Sequence, residues 1–143
     1  MKITQKMYDL IKNSSNSKQV EIGGILGGLK SDTVSDIVLD EQDISSVCRF
    51  TYTPNVQFLN DKIAQWQEEE KTFLGIFHSH FSGCRMLSSM DTEYIENIMR
   101  AMPDTVKSLY FPVYTMPDQT LNVYKAKTEK GNTVIEKDEL IIV

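Results

Sequence analysis

Cysteine is scarce in this chain, and the two that occur, Cys48 and Cys84, form neither a C-x-x-C pair nor the start of a disulfide framework. Both are expected as free thiols in a reducing compartment. Long apolar runs are also missing. No stretch approaches the roughly 20 apolar residues that span a bilayer, and MKITQKMYDLIKN at the start alternates polar and apolar residues where a signal peptide needs a continuous apolar core. A cytoplasmic location with no membrane partner is the expectation. Positive charge is in deficit: 15 Lys and Arg stand against 20 Asp and Glu, a formal net charge of −5. Reading a phosphate backbone depends on clustered Lys and Arg, so nucleic acid is not expected as a partner. Low-complexity tracts and Pro- or Ser-rich linkers are absent too, and 143 residues suit one domain over 1–143 with a real core. Lys137 to Leu140 spells KDEL but is followed by Ile141-Ile142-Val143, and a C-terminal address must be terminal. Asn13-Ser14-Ser15 has the form of a glycosylation acceptor, which is idle without secretion.

What is present alternates helical and strand patterns. Ile3, Met7, Leu10 and Ile11 fall at helical spacing until Asn13 to Ser17 breaks it. Val20 to Gly28, apolar apart from Glu21 and punctuated by paired glycines, reads as a buried central strand, and glycines there mark close approach of a backbone or ligand. Thr33 to Leu39 and Val47 to Thr53 read as further strands in an antiparallel meander. Val56, Leu59, Ile63 and Trp66 recur at helical spacing after Pro54-Asn55, with Trp66 as a packing residue. Phe73 to His80 is a strand, Phe81 to Leu87 a loop, and a helix from about Ser89 presents Ile95, Ile98, Met99 and Met102 before Pro103. Ser108 to Thr115 and Leu121 to Lys127 form a hairpin, and Val134 to Val143 a last strand. The fold class is α+β, with helices packed on one mostly antiparallel sheet.

Both histidines of the chain lie in FHSHFSGCRMLSSMDT, Phe77 to Thr92. On a strand His78 and His80 project from one face while Ser79 points away, so two imidazoles can grip one ion. Asp91 supplies a third ligand, which leaves a fourth position open as in catalytic zinc sites. Each residue also has an ordinary reading: histidines satisfied by local hydrogen bonds, Ser88-x-x-Asp91 as a helix capping box, Glu21 as an acid at a strand end. Together they account for every part of a metal-assisted hydrolase. Zinc held by His78, His80 and Asp91 lowers the pKa of water from 15.7 toward roughly 7. Glu21 serves as general base and then acid, and Ser88 donates to the oxygen that becomes negative. Amide hydrolysis is the implied reaction class.

EIGGILGG from Glu21, then His78-Ser-His80, seven residues, Ser88, two residues and Asp91 resemble the JAMM/MPN+ (JAB domain) zinc metalloprotease family, prokaryotic type, whose motif is H-x-H-x₇-S-x₂-D with an upstream Glu. The likeness extends to Phe50-Thr-Tyr-Thr-Pro54 and the helix after it, and to the segment from Leu74 to His80. It implies a cytidine-deaminase-like α/β/α fold, with His78, His80 and Asp91 as zinc ligands, Glu21 as acid/base and Ser88 as oxyanion donor. It also implies a zinc-dependent isopeptidase or peptidase that cleaves after the C-terminal tail of a ubiquitin-like or sulfur-carrier-like protein, taking the tail as an added strand. The alternative is a non-catalytic MPN scaffold that pairs with a homologous subunit or a second copy; that reading predicts broken ligands, and all are intact here. A DNA-repair relative is disfavoured by the acidic balance. A zinc base deaminase is a poorer reading still, because H-x-E and P-C-x-x-C are absent. Phe81 departs from the family, which usually has Pro after the second His, and the loop Ser82 to Met86 differs from the Gly- and Trp-containing eukaryotic version. Cys84 lies near enough in sequence to reach a metal but reads as a loop thiol.

Overall fold

A computed structural model describes residues 1–18, 20–29, 32–41 and 52–143. Thirteen-residue helix α1 (Gln5–Ser17) begins at Thr4, whose side chain accepts from the Met7 amide. It runs past the expected stop at Asn13, because Ser15 is fully buried: packing overrides the weak helix propensity of Asn and Ser. Strand β2 (Gly23–Gly28) leaves Glu21 just ahead of it, not within it. The strand expected over Thr33 to Leu39 is interrupted at Ser35, giving β3 (Thr33–Val34) and β4 (Asp36–Leu39). Of the strand expected over Val47 to Thr53, residues 47–51 lie outside the described residues, and Tyr52 and Thr53 are not in a strand.

Helix α2 (Val56–Glu68) is capped by Asn55, which accepts from the Phe58 amide. Strand β5 (Thr72–His80) carries both histidines, and α3 (Ser89–Ala101) starts with a full capping box at Ser88 and Asp91. The arm expected over Ser108 to Thr115 is two strands, β6 (Ser108–Tyr110) and β7 (Val113–Thr115), parted at Phe111-Pro112. Both pair antiparallel with β8 (Thr120–Glu129), and both pair in parallel with β5. Strand β9 (Asn132–Asp138) adds to β8, so the sheet is β4-β2-β5, then β6 and β7 in line, then β8-β9.

A second sheet among the described residues corrects the expectation of one. Strand β1 (Lys2–Ile3) lies in parallel between β3 and β10 (Ile141–Ile142). Strands of two residues are too short to show a period in sequence.

The large sheet has a core on each face. Met7 and Ile11 of α1 pack with Leu26, Leu74 and Phe77 on one face; Leu59 and Trp66 of α2, with Ile95 and Met99 of α3, cover Ile25 and Ile76 on the other. This is a helix–sheet–helix arrangement. Leu74 and Ile76 lie on opposite faces although they are two residues apart, because the β2–β5 register slips between Leu26 and Gly27 and the strand bulges at Leu74-Gly75. Gly75 takes φ = 143°, and a Cβ there would lie 1.8 Å from the Tyr110 carbonyl oxygen. The bulge inverts the strand's phase, so that Ile76, His78 and His80 all face α2 and α3.

Candidate metal centre

Asp91 is the third residue of α3, and its carboxylate does two jobs. It closes the capping box by accepting from the Ser88 amide at 2.8 Å, while Ser88 Oγ accepts from the Asp91 amide at 3.1 Å. It also faces the histidines, with Oδ1 3.2 Å from His78 Nε2 and Oδ2 3.4 Å from His80 Nε2. The two Nε2 atoms are 2.9 Å apart. The capping reading of Ser88-x-x-Asp91 therefore holds, and the same carboxylate stands beside both imidazoles.

Nitrogen ligands at about 2.0–2.1 Å from a tetrahedral zinc stand about 3.3 Å apart, and the three separations here bracket that edge length. Three donors converge on one point, and the set fits zinc. His80 Nδ1 lies 3.0 Å from the Cys84 carbonyl oxygen, which accepts its proton and turns the Nε2 lone pair toward the cluster. Tyr52 stacks on His78 with ring centroids 6.4 Å apart and planes 13° apart. Gly23 makes room for that ring: a Cβ there would come within 2.4 Å of it.

The electrostatics follow from this grouping. Burial raises the Asp91 pKa, but hydrogen bonds from His78 and His80 outweigh it and hold the carboxyl far below its usual range. The bond to Asp91 raises His80, against the opposing effect of burial. Glu21 is raised by burial, which exceeds the opposing pull of the Phe81 amide and the two imidazoles.

Glu21 reaches the cluster through strand register. Gly23 pairs with His78 across β2 and β5, so continuing the ladder sets Ile22 opposite Ser79 and Glu21 opposite His80. Residues directly opposite in an antiparallel pair share a face. Glu21, His78, His80, Ser88 and Asp91 line one cavity of about 510 Å³, whose wall also includes Tyr52, Pro54, Cys84, Met86 and Met90. All five residues singled out from the sequence meet there.

Several contributors escaped the sequence reading. Asp40, which opens the acidic stretch Asp40-Glu41-Gln42-Asp43 of the sequence, is buried and accepts from the Tyr52 hydroxyl at 2.8 Å and the Asn55 amide at 2.9 Å, tying the Tyr52 ring to the start of α2. Arg85 and Tyr124 brace the loop after β5: the Arg85 guanidinium forks onto Asp118 Oδ2 at 2.7 and 2.6 Å, and Tyr124 donates to the Arg85 carbonyl at 2.6 Å. Only the Tyr124 contact carried a signal, a tyrosine on the inward face of a strand. Cys84 is exposed, and it serves the cluster by its carbonyl, not its thiol.

No family model and no curated protein sequence matches this chain. Solved structures do. A solution structure from Desulfitobacterium hafniense aligns over 99% of this chain and 92% of its own, with a TM-score of 0.72 and 16% identity. A JAB1/MPN domain protein from Archaeoglobus fulgidus aligns over 100% and 97%, with a TM-score of 0.58 and 20% identity. A structure described as a JAMM metalloprotease-like zinc site in the proteasome and signalosome aligns over 100% and 97%, at 0.56 and 19%. The chain has the JAB1/MPN fold. The α/β/α arrangement expected from the sequence is the one found.

Proposed function

We propose that this protein, with its JAB1/MPN fold, is a zinc-dependent peptidase or isopeptidase of the JAMM type. The observation that carries the reading is the convergence of His78, His80 and Asp91, with ligand atoms all within 4.8 Å of one another, beside a Glu21 set opposite His80 by strand pairing. A zinc ion held there supplies a Lewis acid that polarises the scissile carbonyl and acidifies a water.

The protein's own groups do the rest. Glu21 takes the proton from the attacking water and delivers it to the departing amine nitrogen as the C–N bond breaks, so the carboxylate is regenerated with each turnover. Burial favours the neutral form of Glu21 and so brings its proton affinity nearer the working range of a base that must also act as an acid. Ser88 keeps its hydroxyl hydrogen available, because Oγ only accepts from the Asp91 amide; it donates to the oxygen that becomes negative at the tetrahedral carbon. Asp91 stays ionised, as a ligand must, and the carbonyl of Cys84 keeps His80 in the ligating tautomer.

The substrate we propose is the extended C-terminal tail of a ubiquitin-like or sulfur-carrier-like protein, cleaved at the peptide or isopeptide bond that follows it. Support comes from the fold likeness and from a cleft whose wall offers apolar Pro54, Met86 and Met90 around the acidic and imidazole groups, with no Lys or Arg lining it among the described residues. The test is to measure bound zinc and cleavage of tail-extended ubiquitin-like proteins by the wild type, Glu21→Ala and His78→Ala. Zinc at one per chain with hydrolysis that Glu21→Ala abolishes is the expected result. A zinc-loaded protein that cleaves nothing in the panel would end the peptidase reading, and undiminished zinc in His78→Ala would end the site.

A further inference from the structure

Ser79, between the two ligating histidines, is fully buried and takes no part in the cluster. It is turned to the other strand. The Ile22 amide donates to Ser79 Oγ at 2.9 Å, the Ser79 amide donates to the Ile22 carbonyl at 2.8 Å, and the hydroxyl lies 3.4 Å from that same carbonyl. These bonds extend the β2–β5 pairing one residue beyond the regular end of β2, and so fix the backbone next to Glu21. The Phe81 amide then donates to Glu21 Oε1 at 3.2 Å. The carboxylate is thereby tied at Oε1 to the end of β5, and it also accepts from the Tyr52 amide on the other wall of the cavity.

We infer that Ser79 and Phe81 are positioning residues for Glu21: the positions that alternate with the ligands hold the base in place, just as the ligands hold the metal. One strand end thereby sets both halves of the site. The main chain of Phe81, not its ring, makes the bond to Glu21. Proline at this position has no N–H and could not make the bond to Glu21. The inference rests on the peptidase reading only for its kinetic consequences, since the clamp itself is made by the chain's own backbone and side-chain groups.

The experiment compares wild type, Ser79→Ala, Phe81→Pro, Phe81→Ala and Glu21→Ala. In zinc-free protein, the Phe81 amide proton resonance is expected to move upfield in Glu21→Ala, and hydrogen exchange at Ile22 to quicken in Ser79→Ala. In zinc-loaded protein, Ser79→Ala and Phe81→Pro should keep wild-type zinc and KM while kcat falls about 10- to 100-fold, as for other outer-shell partners. Phe81→Ala keeps the amide and should recover most of the rate lost in Phe81→Pro. An unmoved Phe81 resonance in Glu21→Ala overturns the inference, and so does wild-type kcat in Ser79→Ala and Phe81→Pro, or a kcat that falls only in step with lost zinc. If the wild type binds zinc and cleaves nothing, the peptidase reading fails, and the two amide measurements decide the clamp.

Discussion

His80 Nδ1 and the Cys84 carbonyl oxygen lie 3.0 Å apart, and this contact decides which nitrogen of His80 faces the metal site. The carbonyl is carried by a loop with little regular structure, held by Tyr124 through the Arg85 carbonyl and by Asp118 through the Arg85 side chain. Tyr124→Phe should loosen that support without touching a ligand. We expect zinc affinity to fall by roughly 10-fold, at the low end for an outer-shell change, as read by competition with a chelating dye.

Ser88 joins stability to chemistry. Replacing it by Ala removes an N-cap, expected to cost about 1 kcal/mol in denaturant unfolding. It also removes the proposed oxyanion donor, with an expected loss of about 10²–10³ in kcat while zinc is retained. Equal kcat in Ser88→Ala and wild type would leave the residue a cap alone.

Metal binding should displace protons. Asp91 raises His80, so in the metal-free state more proton is bound at the cluster at neutral pH than at an unperturbed imidazole. Zinc must expel it, and affinity should weaken as pH falls through the range where His80 protonates. Calorimetry in buffers of differing ionisation enthalpy reads the proton release. Zinc at 100 times its Kd should also add about 2.7 kcal/mol to unfolding, and a chelator should reverse the gain.

Asp118 gives a pH dependence away from the metal. Hydrogen bonds from Thr115, then Arg85 and Thr120, together outweigh the opposing effect of desolvation and lower its pKa to about 2, against an ordinary 3.8. A carboxyl depressed in the folded state stabilises above its unfolded pKa, and loses that contribution as pH falls through the folded one. The stability difference between zinc-free wild type and Asp118→Asn should therefore be full above about pH 4 and vanish toward about pH 2. Because the pair is on the surface, added salt should shrink it as well.

Gly75 holds the strand's phase. Gly75→Ala must relieve a Cβ placed 1.8 Å from the Tyr110 oxygen and a φ of 143°, so we expect a loss of more than about 2 kcal/mol by chemical denaturation. Repacking that relieves it by removing the bulge would turn the histidines toward α1, and zinc binding would be lost together with stability.

The His-His-Asp cluster was readable because its parts are local: His78 and His80 share a strand face by period two, and Ser88 and Asp91 share a helix start by capping logic. The long amphipathic helices α2 and α3 were readable for the same reason, each repeating its apolar residues over three turns. What escaped reading was short or nonlocal. Two-residue strands such as β1 and β3 carry no period, and Asp40 in a run of acids shows nothing of the Tyr52 hydroxyl that meets it.

By itself, then, the chain determined its residue types and their local geometry: two imidazoles on one strand face, a carboxylate at a helix start, an acid beside paired glycines. Strand and helix periods follow from backbone sterics that each residue carries with it. Only the tertiary structure decided that the parts meet. Pairing of β2 with β5, continued past Gly23, set Glu21 opposite His80, and a bulge at Leu74-Gly75 turned His78 and His80 to the face on which α3 presents Asp91. Both depend on which backbone groups find each other across more than forty residues, and a slip of one residue in either would send the same side chains to opposite faces.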